Sequence, residues 1–257
     1  MEYALITGAS KGIGRAIVEE LARRGFNVLL VARSEDKLQQ AAGEIMARYK
    51  VKADVLAIDL SLPDAATEVY DWCRARGYAV RALVNNAGYG LSGSFEKYTI
   101  DEHLNMMHLN MDTLVKMVRL FLPELRKQSR AYILNIASSA AYQAVPRLSL
   151  YAATKAFVLS FSRGLHQELR GTSVSVTAIS PGATDTDFPN RAQLGEKGMK
   201  AAEKFNMTPE VVASLAVKAM LAGKAEVITG MVNKVGAFMA WLLPKGVVER
   251  TAMKIYE

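Results

Sequence analysis

Two hydrophobic periods alternate along the chain. Short runs rich in apolar and β-branched residues occupy 3–7, 27–32, 53–58, 82–85, 131–137, 173–179 and 226–229, with little polar alternation inside them. Runs of that kind are strands buried on both faces of a parallel sheet. The longer stretches between them repeat apolar residues every three or four positions, which predicts helices over 12–24, 35–49, 63–76, 101–126, 149–170 and 209–221. Strict alternation of the two patterns predicts a single doubly wound α/β domain of Rossmann type over residues 1–257, its seven-stranded parallel sheet flanked by helices. Residues 183–206 are mixed polar, contain glycine and follow no period, so they are read as a substrate loop.

Composition narrows the class without naming a chemistry. Hydrophobic residues make up 51% and charged residues 22% of the chain, ordinary values that argue against a disordered or fibrous protein. The lone Cys73 excludes an internal disulfide, and Met1-Glu2 leads into the first apolar run without a signal-peptide pattern, so a cytoplasmic, reducing location is expected. The longest apolar run, 235–243, is too short to span a bilayer. A net charge of +7 comes from dispersed Lys and Arg, which speaks against nucleic-acid binding and suits a polyanionic cofactor or an acidic lipid surface.

Two local patterns carry chemistry. Thr7-Gly8-Ala9-Ser10-Lys11-Gly12-Ile13-Gly14 joins the first strand to the first helix. There Gly8 can turn tightly, Gly12 lets the backbone approach a pyrophosphate, and Gly14 permits close helix-to-sheet packing. The spacing is G-x-x-x-G-x-G rather than the usual dinucleotide G-x-G-x-x-G, and a purely structural turn is the other reading. Tyr151 and Lys155 stand four residues apart in a predicted helix and share a face. A free phenol has a pKa of about 10, and a neighbouring ammonium favours its ionised form, which makes such a pair a candidate proton exchanger.

The Gly-rich octet resembles the cofactor motif of the short-chain dehydrogenase/reductase family, and Tyr-x-x-x-Lys matches its catalytic pair. The resemblance covers about the first 190 residues, and the segment after Gly230, with 238–244, Lys245, Arg250 and Lys254, resembles the branch with ketoacyl and 17β-hydroxysteroid reductases. It implies a catalytic set of Asn110, Ser138, Tyr151 and Lys155, with Ser139 as rival to Ser138 but expected to satisfy local backbone. Asn110 would hold a water in a proton relay. It further implies cofactor contacts from Gly8, Ser10, Lys11, Gly12, Ile13 and Gly14, and from Asp59, Leu60, Asn86, Ala87, Gly88, Tyr151, Lys155, Pro181, Gly182 and Thr186. Asp59 reads equally as an N-cap of the helix near Pro63, Asn85 as a structural residue, and Pro181-Gly182 as a simple turn. The second strand ends in Ala32-Arg33-Ser34, with no carboxylate to repel a 2′-phosphate and with Arg33 and Lys11 able to pair with one, so NADP(H) is the expected cofactor. A solvated Arg33 opening the next helix is the alternative.

Thr7, Arg33, Asp59, Asn85, Ser138 and Pro181 all fall at the carboxyl ends of predicted strands, the edge where doubly wound sheets bind ligands. The expected function is NADPH-dependent hydride transfer between nicotinamide and a small-molecule carbonyl or secondary alcohol, with no metal. Apolar residues at Tyr89-Gly90-Leu91, in 141–148 and after Gly182 favour a lipophilic ketone or 3-oxoacyl substrate. The alternative is a non-catalytic NADPH-binding scaffold of the same fold. A homodimer or homotetramer is expected through the helices at 101 and 149. The C-terminal extension, about 235–257, contains Phe238-Met239-Ala240-Trp241-Leu242-Leu243-Pro244 followed by Lys245, Arg250 and Lys254. It is expected to cover the substrate pocket or a subunit interface, with peripheral membrane contact ranked second.

Overall fold

The computed structural model describes residues 2–185 and 206–256, together with 192, 193, 195 and 199. Strands β1 (Tyr3–Thr7), β2 (Asn27–Ala32), β3 (Ala53–Ala57), β4 (Val80–Asn85), β5 (Ala131–Ile136), β6 (Val174–Ser180) and β7 (Glu226–Ile228) form one sheet. All neighbours run parallel, in the order β3-β2-β1-β4-β5-β6-β7. The strand order reverses between β1 and β4, which opens a crevice at their carboxyl ends.

Because side chains alternate across a strand, neighbouring residues serve opposite cores. Ile6, Leu30, Val84 and Leu134 face helices α1 (Gly12–Arg23), α2 (Glu35–Tyr49) and a later helix over Pro209–Leu221. Leu5, Leu29, Leu83 and Ile133 face α3 (Ala65–Ala75) and the helices over Thr113–Arg126 and Ser149–Glu168. This two-sided burial is why the strands read as unbroken apolar runs. A buried polar chain crosses the middle of the sheet: Asn85 Nδ2 donates to Asn135 Oδ1 (2.9 Å), Asn135 Nδ2 to Ser162 Oγ (2.9 Å), and Ser162 Oγ to the Val158 carbonyl (2.6 Å). Asn85 thus ties β4 to β5, the structural part expected of it.

The helix expected over 101–126 is a rod in three pieces: α4 (Ile100–Met107), a π-turn at His108–Asp112, and α5 (Thr113–Arg126). The wider turn places Asn110 inward, buried against the sheet edge. Thr99 starts the rod with a reciprocal cap, its hydroxyl accepting from Glu102 N while the Glu102 carboxylate accepts from Thr99 N. Next come α6 (Ser149–Glu168) and α7 (Pro209–Leu221), then two helices outside the expected set, α8 (Met231–Leu242) and α9 (Lys245–Tyr256). The ends of the 183–206 segment are pinned together, with Asp185 N donating to Met207 O (2.9 Å) and Met207 N to Ala183 O (3.1 Å).

Candidate active site

The site grows from the crevice outward. Gly8 turns with φ +65°, and a Cβ there would lie 2.7 Å from Asn86 Nδ2. A Cβ on Gly14 would lie 2.2 Å from the Gly8 carbonyl oxygen, so the first turn of α1 rests directly on the loop. Thr7, read from sequence only as the strand end before the glycines, is the clamp of this corner. Its Oγ1 accepts from Asn86 N (3.0 Å) and Ala87 N (3.1 Å) and donates to Val84 O (3.2 Å). Asn86 Nδ2 answers by donating to Thr7 O (2.9 Å) and Gly8 O (3.2 Å). No side chain caps α1 and its first turn contains no carboxylate, so the positive helix end with Ser10 to Ile13 is open to an anion.

At the ends of β2 and β3, Arg33 and Asp59 stand 3.8 Å apart, both partly exposed. Asp59 Oδ1 also accepts from Ser61 N (3.0 Å) and Ser61 Oγ (2.8 Å). The N-cap alternative for Asp59 is therefore corrected: α3 opens at Ala65 behind Asp64, and Asp59 caps its own turn. Leu60 is buried beside it, and its carbonyl accepts from Thr113 Oγ1 (2.8 Å).

Across the crevice β5 runs into Ser138. The Ser138 hydroxyl accepts from Ala140 N (3.1 Å) and caps a short 3-10 turn at Ser139–Tyr142, whereas the Ser139 backbone N–H donates to Pro181 O (2.7 Å). As an acceptor in that bond, Ser138 keeps its own proton to give. Tyr142 anchors the turn, bonding Ser180 Oγ (3.0 Å) and the Glu226 carboxylate; burial first, then that carboxylate, pushes its phenol well above the ordinary range.

On α6, Tyr151, Thr154 and Lys155 are all buried. Lys155 Nζ donates to the Ile136 carbonyl (2.9 Å) and lies 5.8 Å from the Tyr151 ring centroid. Burial lowers the Lys155 pKa to about 8. Asn110 Nδ2 donates to Tyr89 O (2.9 Å) and Thr154 Oγ1 (3.0 Å), its Oδ1 accepts from Tyr89 N (3.1 Å), and Thr154 Oγ1 donates to Tyr151 O (2.8 Å). Both amide hydrogens of Asn110 are thereby used, so its side chain acts as a clamp between the Tyr89 loop and α6. Gly88 fits between: a Cβ on it would be 2.8 Å from Asn110 Oδ1 and 3.5 Å from Lys155 Nζ. Thr154 was not singled out from sequence, although it lies inside the Tyr-x-x-x-Lys spacing.

Pro181 and Gly182 follow β6, and Thr186 lies outside the described residues. A Cβ on Gly182 would be 2.1 Å from Asn233 Nδ2, so the start of α8 sits on this turn; Asn233 is held there by donating to Thr229 O (2.7 Å). A cavity of 270 Å³ opens beside the start of α6, walled by Leu91, Phe95, His103, Arg147, Leu150 and Met253 among others. Leu91 and Leu150 also pack against the cluster containing Tyr151, which sets the cavity beside the candidate site. Among the described residues, no group of three or more His, Cys, Asp or Glu could hold a metal ion.

A family model described as short chain dehydrogenase matches residues 2–197. The chain belongs to this family. It is 41% identical over 187 residues to a very-long-chain 3-oxoacyl-CoA reductase of Anas platyrhynchos, a match covering 70% of this chain and 58% of that protein. The matched part is thus little more than half the length of that curated relative. Among solved structures, one described through 7beta-hydroxysteroid dehydrogenase stereoselectivity has a TM-score of 0.87 at 29% identity, covering 98% of this chain and 96% of the other. A short-chain dehydrogenase from Sphingobium yanoikuyae in complex with NADPH gives 0.82 at 29% identity, covering 94% and 93%. The short-chain dehydrogenase fold binds a nicotinamide cofactor, and the residues here fit one. A Cβ at Gly8, Gly14 or Gly88 would run into neighbouring protein atoms, so the glycines keep this corner tight, and an open helix end stands beside it.

Proposed function

We propose that this chain is an NADP(H)-dependent oxidoreductase acting between a carbonyl and a secondary alcohol, with lipophilic ketones or 3-oxoacyl compounds as substrates. The observation that carries this reading is the convergence of Asn110 and Lys155 on Gly88, with Tyr151 one helical turn from Lys155 and Ser138 at the neighbouring strand end. When bound, the nicotinamide cofactor supplies or accepts the hydride.

The protein's own part is proton handling and orientation. Tyr151 gives its phenolic proton to the carbonyl oxygen during reduction, and Ser138 donates a hydrogen bond to that same oxygen. Lys155 stabilises the negative charge that develops on Tyr151 and holds the ribose hydroxyls, while Asn110 fixes the Tyr89 loop against α6. Gly8, Ser10, Lys11, Gly12, Ile13 and Gly14 cradle the pyrophosphate; Asp59 and Leu60 border the adenine, and Asn86, Ala87 and Gly88 the ribose. Pro181 and Gly182 would border the carboxamide, the role that the family resemblance also gives to Thr186. Preference for the phosphorylated cofactor is supported by Arg33 at the end of β2, by Ala32 where a carboxylate would repel phosphate, by Lys11, and by the NADPH bound to a structural relative.

The substrate class is supported by the apolar wall of the cavity and by the relatives' names, a 3-oxoacyl-CoA reductase and a hydroxysteroid dehydrogenase. Exposed Ile100 and Leu104 on α4 and Phe157 on α6 suit a homo-oligomeric contact. The deciding experiment is NADPH consumption across steroid ketones and 3-oxoacyl thioesters, with the Tyr151→Phe variant alongside. Oxidation of NADPH by the parent and its loss in the variant are expected; near-normal turnover by Tyr151→Phe would sink the assignment.

A further inference from the structure

Helix α8 is built inside out. Its inward side holds Asn233, Ala237 and Ala240, the last only 1% exposed, which are small or polar. The outward crest is Met231, Val235, Phe238 and Leu242, spaced as one helical stripe, with Val232 and Met239 on one flank and Trp241 beside Lys234 on the other. Met231 is 72% exposed, Trp241 75% and Phe238 56%, and the two rings lie 5.9 Å apart. A helix of a water-facing surface has the opposite arrangement, and monomers rarely show contiguous apolar patches of this kind unless something covers them.

The charges say what the cover is. Helix α8 has no acidic residue. Across α8 and α9 the cations are Lys234, Lys245, Arg250 and Lys254 against the lone anion Glu249, in a chain of net charge +7. Two copies meeting through this face would bring together two surfaces with the same excess of positive charge, with no carboxylate on either α8 to answer Lys234. An anionic bilayer accepts both features, taking the apolar crest and aromatic rings into its interface and the lysines at its phosphates. Twelve residues cannot span a bilayer, and no helix among the described residues is long and apolar enough to do so, which leaves α8 lying along the surface.

We propose that α8 is a peripheral docking surface for anionic phospholipid membranes. This does not depend on the reaction assigned to the chain. Its inward side rests on the Ser139–Tyr142 turn, and Asn233 touches Gly182, so docking brings the mouth of the crevice to the bilayer. Met253 of α9 lines the cavity, while α8 turns its large apolar residues outward.

The test is flotation of the full chain with phosphatidylcholine vesicles, with and without phosphatidylglycerol, read together with Trp241 emission in a Trp72→Phe background. Binding to the anionic vesicles, weakening with salt, and a blue shift of Trp241 are expected. Phe238→Ser with Trp241→Ser, and separately Lys234→Glu with Lys254→Glu, should each weaken partitioning about tenfold while melting temperature stays near that of the parent. Failure of the parent to float overturns the proposal, and so does flotation that neither pair of substitutions changes. A dimer that Phe238→Ser with Trp241→Ser dissociates, without vesicle binding by the parent, would assign the face to a second copy instead.

Discussion

Asn110 and Thr154 are joined by a buried 3.0 Å hydrogen bond that ties the π-turn to the helix bearing Tyr151 and Lys155. Because Thr154 in turn donates to the Tyr151 carbonyl, the bond connects the Tyr89 loop, the α4–α5 rod and α6 in one network. Asn110→Ala removes the bonds that its side chain makes to Tyr89 N, Tyr89 O and Thr154 Oγ1. A destabilisation of roughly 2–3 kcal/mol in urea unfolding is expected, with a fall in kcat/KM. Unchanged unfolding would show that the loop is held by other contacts.

Tyr151→Phe retains the ring and its packing but removes the transferable proton. Turnover should fall by roughly a hundredfold to ten-thousandfold, while the rise in melting temperature with NADPH is retained. Loss of that rise would mean that the hydroxyl serves the cofactor more than the substrate.

The buried Lys155 imposes a pH dependence of definite sign. Its pKa falls from 10.5 to about 8 because burial penalises the ammonium. Between those values the unfolded chain binds more protons than the folded one, so this group's contribution to stability rises with pH across that window. Relative to Lys155→Met, the cofactor-free parent should gain about 3 kcal/mol from pH 8 to above 10.5. Urea unfolding of both proteins over that range measures it, and a constant difference would contradict the low pKa.

Arg33→Glu reverses the charge at the position proposed to meet a 2′-phosphate, beside Asp59. The KM for NADPH should rise about tenfold or more with little change for NADH. Equal changes for both cofactors would point to damage of the edge rather than to phosphate recognition.

Gly14→Ala forces a methyl group against the Gly8 carbonyl, 2.2 Å away on the present backbone. Strain of about 1–3 kcal/mol and weakened binding of either nicotinamide cofactor are expected, read by thermal unfolding with and without cofactor. A variant as stable as the parent would show that the α1 turn can shift.

What could be read from the sequence follows from which physical signals are local. Strands such as Leu29 to Val31 are buried on both faces and announce themselves by composition, and Gly8 and Gly14 by the absence of a side chain where backbones meet. The π-turn was not legible, because it goes with the long-range clamp of Asn110 on Tyr89 rather than with any local pattern. Thr7 and Thr154 were missed as clamps because a threonine in a strand or helix has the same appearance whether or not its hydroxyl finds a distant partner. Helix α8 escaped because Met231–Leu242 is apolar apart from Asn233 and Lys234, so no polar face sets off a helical stripe. The Ser138 and Ser139 roles depended on the geometry of the turn between them.

The π-turn at His108–Asp112 behaves as a one-residue insertion in an otherwise ordinary helical rod. Deleting one residue there would let α4 and α5 join as continuous α-helix with their buried faces still in phase, and Asn110 would swing off the Tyr89 loop. Scaffold and chemistry are therefore separable at a single codon: a shortened chain could keep its core while losing the bridge that aligns its crevice.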